Sequence, residues 1–218
     1  MTFGYSDSDK PAKIEEIDEI TQEESYDPST RKTLLFSVIL FSTSMIAGFL
    51  LGFHPLFTEG QGSDEFMSGF SEMFPGLAEL TSSELAAFIL VNNAVKSLAF
   101  MILGVVLGIL PAFFLVLNGG LIGLVVNISS IAISPSFIIA ALVPHGIFEI
   151  PAILYASALG FKVGSQVWRK YRKRTSFVKK SLTIGLKSYL KVVLPMLILA
   201  AVIEAFVTPW FIALAIDL

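Results

Sequence analysis

His145 and Glu149 lie four residues apart in the segment PHGIFEIPA, residues 144–152. That spacing puts an imidazole and a carboxylate on one face of a helix. Pro144 and Pro151 each remove an amide donor and disturb the preceding turn, and Gly146 adds freedom between them. The pattern predicts a broken helix with two ionisable groups, a typical way to build a site inside a membrane. A kink in which His145 and Glu149 clasp neighbouring helices is the structural alternative. Lys96 and Glu204 are two further charges embedded in uncharged surroundings, and Asn92 shares a helix face with Lys96, with Asn93 beside it. Asn118 stands next to Gly119, Gly120 and Gly123. Small residues let helices approach closely, and amide side chains hydrogen-bond across them.

Several reaction classes lack their residues. The chain has no cysteine and two histidines, of which His145 alone sits in an apolar stretch. Catalytic zinc normally takes two or more nitrogen or sulfur ligands besides a carboxylate, so His145, Glu149 and Glu204 make a poor zinc set. No GxSxG elbow, Walker loop or GxGxxG phosphate cradle occurs. The expectation is a protein with no catalytic residues, no metal and no cofactor, in which the polar residues serve either as a pocket or as a helix clasp.

These residues must be positioned by a membrane architecture. Of 218 residues, 54% are hydrophobic and 15% are charged, against about 25% charged in soluble domains. Of the 33 charged residues, 13 precede residue 33, six lie in 54–84 and ten lie in 162–191, leaving four elsewhere. The long uncharged stretches exclude an ordinary soluble globule. The first apolar run starts at Thr33, late for a cleavable leader, and is long enough to span.

About 20 apolar helical residues cross a bilayer core of about 30 Å. Five stretches qualify: 33–53, 84–110, 111–130, 136–161 and 192–213. The fold class is therefore all-α, a polytopic integral membrane protein with five transmembrane helices. The second and third stretches abut at Leu110–Pro111, which requires a tight hairpin there, with Pro111 opening a helix. Counted from the outer end of each stretch, Lys96 lies about 18 Å deep, Glu149 about 20 Å and Glu204 about 14 Å. A charge at such depth faces protein or water, so the three are expected to converge. Lys96 offsets one carboxylate, and the other needs His145, water or a proton.

Orientation follows from Lys and Arg near the helix ends. Arg31 and Lys32 precede the first stretch, and residues 162–191 hold ten basic and no acidic residues. With five spans both lie on one side, the cytoplasm, and the acidic loop 54–83 and the C-terminus lie outside the cell. Arg169, Lys170, Arg172, Lys173 and Arg174, beside Trp168 and Tyr171, read as an anchor on anionic headgroups. Phe177, Val178, Leu182, Leu186, Tyr189 and Leu190 alternate with lysines as in an amphipathic helix lying in the cytoplasmic headgroup layer. A docking site for a cytoplasmic partner is the other reading. Nucleic acid is not an expected partner, because the bilayer supplies a nearer anion. The acidic tail 1–32, with Ile14, Ile17 and Ile20, reads as solvated or as a short helix docking on 162–191. Residues 65–80 suit a short helix grazing the outer leaflet.

The chain resembles the stage II sporulation protein M family, also called DUF95, of bacterial and archaeal integral membrane proteins. The resemblance is carried by VNNAVKS at 91–97, LNGGLIG at 117–123, PHGIFEIPA at 144–152, Gly160 with Gly164, and VLPMLILAAVIEAFVTP at 193–209. It covers about residues 84–213. It implies a membrane scaffold, since the family's namesake looks like one that joins wall-degrading proteins during engulfment. The expected function is a non-enzymatic scaffold or assembly protein of the cell membrane, acting as a homodimer or with membrane or envelope partners. The runner-up is a small transporter or channel built on the fourth helix.

Overall fold

The computed structural model describes residues 28–58, 68, 79–132, 134–174 and 176–216. The tail before residue 28 and most of the stretch 65–80 lie outside the described residues, and so do the readings made for them. Among the described residues the secondary structure is entirely helical. In chain order, α1 is Pro28–Leu51, α2 is the single turn Pro55–Thr58, α3 is Ser82–Ile102 and α4 is Ile109–Ala132. Then α5 is Pro135–Tyr171, α6 is Val178–Ser188, α7 is Leu194–Val202 and α8 is Thr208–Ile216. Among the described residues, five helices are long and apolar enough to cross a membrane; α6, α7 and α8 together make the fifth, Val178–Ala215.

Local chemistry sets several boundaries. Thr81 and Glu84 form a reciprocal capping box at the start of α3. Ser134 caps α5 ahead of Pro135, whose missing N–H costs nothing at a helix start. The hairpin between the second and third spans is not at Leu110–Pro111. A 3₁₀ turn at Leu103–Val105 leads into Leu107 and Gly108, both at positive φ (52° and 76°), and α4 starts at Ile109. Gly108 tolerates that left-handed backbone without penalty, so the chain turns there and Pro111 falls inside the first turn of α4.

The fourth helix is also not broken. α5 runs 37 residues with Pro144 and Pro151 both inside it. The two prolines are seven residues apart, close to two full turns, so they fall on the same side of a helix that continues through both. At about 1.5 Å per residue α5 is about 55 Å long, well beyond a bilayer core. It therefore continues past residue 161 through Arg169 and Lys170, and stops only where Lys173 takes a positive φ of 54°.

α5 is the central post: it packs against α1, α3, α4, α6, α7 and α8. Its buried stretch from Ala152 to Gly164 is rich in Ala and Gly, which brings neighbouring backbones close. One face holds Ala152, Ala156 and Leu159 against Met101, Tyr189, Val193 and Leu197. The other holds Ile153 and Leu154 with Phe41, Phe100 and Leu115. Glycines make the closest crossings. A methyl on Gly104 would collide with the Gly160 carbonyl, and one on Gly123 with the Met45 carbonyl.

The amphipathic stretch forms α6, but it does not lie apart from the fifth span. It runs into α7 through a π turn at Tyr189–Val193, and a second π turn at Ile203–Val207 joins α7 to α8. Each π turn ends two residues before a proline, Pro195 and Pro209. A proline inside a helix clashes with the preceding turn and leaves a carbonyl unbonded. The wider π turn accommodates that locally and keeps the helix going. α6 buries Ser181 and Gly185, and Gly185 lies close to Met101, so this face leans on protein.

Candidate functional site

Three helices bring the predicted polar residues together. His145 and Glu149 sit one turn apart on α5. Glu204 occupies the second π turn of the fifth span, and its Oε2 meets His145 Nδ1, joining the fourth and fifth spans. Asn93 and Lys96, on α3, and His145 and Glu204 are all within electrostatic reach of Glu149. His145, Glu149, Glu204 and Asn93 are partly buried.

Three predicted members behave differently. Lys96 is exposed on the outer face of α3 although it feels the Glu149 charge. Asn92 lies beside it and donates to Asn93 Oδ1 at 3.4 Å. Asn118 bonds within its own helix, donating to the Phe114 carbonyl at 2.7 Å, so its amide is engaged on α4 and not with this group. Of the small residues, Gly119 and Gly123 face α1, as close packing requires, while Gly120 has room beside it. Gly146 is buried, yet a methyl there would meet nothing nearer than 3.7 Å.

A second polar joint escaped the sequence reading. Tyr189, placed there on a headgroup-lying helix, is buried and donates its hydroxyl to the Ala94 carbonyl at 2.7 Å. Its oxygen also lies 3.1 Å from Ser97 Oγ. Asn93 and Ser97, four apart on one helix face, would have signalled a polar stripe on α3 facing the bundle. Pro195 and Pro209, fourteen residues apart, would have signalled the paired π turns.

The basic residues stay at one end. Lys162 donates to Thr30 Oγ1 at 3.2 Å, which sets the Arg31–Lys32 end of α1 beside the basic end of α5. Arg169, Lys170, Arg172, Lys173 and Arg174 are all exposed there. Arg172 lies 4.8 Å over the Trp168 ring, and Trp168 stacks on Tyr171.

Residues 37–209 match the family described as Stage II sporulation protein M. The chain belongs to that family. The stage II sporulation protein M match takes in every residue of both polar joints, from Asn93 to Glu204. The chain is also 29% identical over 181 residues to an uncharacterized protein of the archaeon Methanocaldococcus jannaschii, covering 81% of this chain and 93% of that one. No solved structure matches it. Family membership and the five long apolar helices make this a membrane protein.

Proposed function

We propose that this family member is a non-enzymatic scaffold or assembly protein of the cell membrane, with a cytoplasmic N-terminus and an external C-terminus. What carries the reading is the double polar joint. His145–Glu204 ties the fourth span to the fifth, and Tyr189 ties the fifth to the second. Such bonds fix helix packing, and a scaffold needs fixed faces for partners. Those partners are other membrane or envelope proteins or a second copy, with anionic headgroups held by Arg169–Arg174.

One observation favours transport as a second reading. Glu204 sits in a π turn, a feature frequent at functional sites, beside His145 and within reach of Glu149 and Lys96. Proteoliposomes under imposed proton, sodium and potassium gradients separate the two. The scaffold reading expects leakage equal to that of empty vesicles. Flux abolished by Glu149→Gln would replace it with transport.

A further inference from the structure

The chain folds back on itself at its basic end. Lys173 takes a positive φ of 54° where α5 stops, and the Arg174 amide donates to the Arg169 carbonyl at 3.0 Å. The Phe177 amide then donates to Gln166 Oε1 at 3.2 Å, which pins the returning chain to α5. This reversal sets the first turn of α6 near the last turn of α5, and an open recess of about 600 Å³ lies between them. Lys170 lines it from α5, Lys179 and Lys180 from α6, and Ser176 from the link between the two helices. No side chain caps the start of α6, so its first N–H groups add to the positive potential of that wall. No Asp or Glu occurs between Glu149 and Glu204, so no acid in this part of the chain neutralises the three ammonium groups.

Ammonium groups converging from two helices, with a hydroxyl and a helix start, match a phosphate, which brings negative charge and several acceptor oxygens. The surroundings indicate which phosphate. Phe177 and Val178 form an apolar part of the lining, and Phe177 is exposed, as are Trp168 and Tyr171 on either side of Lys170 in the chain. Exposed aromatics among basic residues mark the boundary between lipid and water, and basic pockets on the cytoplasmic side of a membrane suit anionic headgroups. We propose that this recess is a binding site for the phosphate of an anionic lipid headgroup, with the acyl chains leaving past Phe177 and Val178. It holds one lipid in a defined place, unlike the diffuse attraction of the exposed arginines. The proposal stands whether the protein is a scaffold or a transporter.

Native mass spectrometry of the full chain in detergent, titrated with phosphatidylglycerol, should show one lipid retained per chain. Phosphatidylcholine with the same acyl chains should be retained several-fold less. Lys170→Gln with Lys179→Gln should weaken phosphatidylglycerol binding about tenfold. Lys32→Gln with Lys187→Gln removes the same charge from exposed positions outside the recess and should change binding by less than about twofold. Equal losses in the two variants would reduce the effect to bulk charge and overturn the recess, as would equal retention of the two lipids or no retained lipid on the parent chain. Millimolar inorganic phosphate at constant ionic strength should leave the lipid in place. Its release would assign the recess to a soluble phosphate compound and overturn the lipid.

Discussion

Tyr189 reaches across from the first π turn of the fifth span and donates its hydroxyl to the Ala94 carbonyl of α3 at 2.7 Å. Ser97 Oγ donates to the Asn93 carbonyl at 2.7 Å, with the Ala94 carbonyl at 3.2 Å, and lies 3.1 Å from the tyrosine oxygen. Tyr189→Phe removes the hydroxyl and keeps the ring in its apolar setting. The expected loss is about 0.5–1.5 kcal/mol, or a drop of about 1–6 °C in melting temperature in detergent. Ser97→Ala combined with it should cost less than the sum of the singles, because the two hydroxyls form one network. Strict additivity would show that the joint carries no coupling.

Neighbouring glycines on α4 should respond in opposite ways. A methyl at Gly119 would run into Ser44 Oγ and the Phe41 carbonyl, whereas one at Gly120 finds its nearest atom, the Ser44 carbonyl oxygen, at 3.8 Å. Gly119→Ala should therefore destabilise by about 1–3 kcal/mol through overpacking. Gly120→Ala should be neutral or mildly stabilising, since alanine is the better helix former by about 1 kcal/mol. Thermal melts of the two purified variants decide it, and equal losses would mean that α1 and α4 do not cross as described.

The sequence made much of this legible and misled in identifiable places. The all-helical fold and the five long apolar helices followed from the charge-free stretches, since few other arrangements satisfy the backbone in lipid. Uniform helical rise put Glu149 and Glu204 near one depth, and His145, one turn from Glu149, meets Glu204. What periodicity did not reveal was how proline acts. Pro144 and Pro151 looked like a break but lie inside a continuous α5, while Pro195 and Pro209 drew no notice and accompany both π turns. Tyr189 was hidden by its lysine neighbours, which made a buried hydrogen-bond donor resemble an interfacial aromatic. Asn118 shared the type and setting of the clustered residues, but its bond to Phe114 is local, and residue type does not distinguish a local bond from one between helices.

His145 and Glu204 should behave as a coupled pair. His145 Nδ1 meets Glu204 Oε2, and both side chains are largely shielded (18% and 29% exposed). Removing one partner strands the other, a loss of about 3–5 kcal/mol for well-buried pairs and less here because some exposure remains. Each single alanine variant should therefore melt well below the parent. The double variant His145→Ala with Glu204→Ala should be less destabilised than the two singles added together. A double-mutant cycle in detergent measures the difference, and a coupling near zero would dissolve the clasp between the fourth and fifth spans.

The last expectation concerns which side is which. Lys162 bound to Thr30 sets the basic ends of α1 and α5 together, so Arg31, Lys32 and the Arg169–Arg174 cluster act on insertion from one side. Basic residues near helix ends are retained in the cytoplasm, and each is worth about 1 kcal/mol against an anionic leaflet. A tag after residue 1 should be shielded in intact cells, and a tag beyond Leu218 should be accessible. Replacing Arg169, Lys170, Arg172, Lys173 and Arg174 together with glutamine removes half of the ten basic residues in 162–191. A mixed population in the tag assay should result. An unchanged pattern would mean that these charges do not set the topology, and reversed labelling of the parent protein would place the basic ends outside the cell.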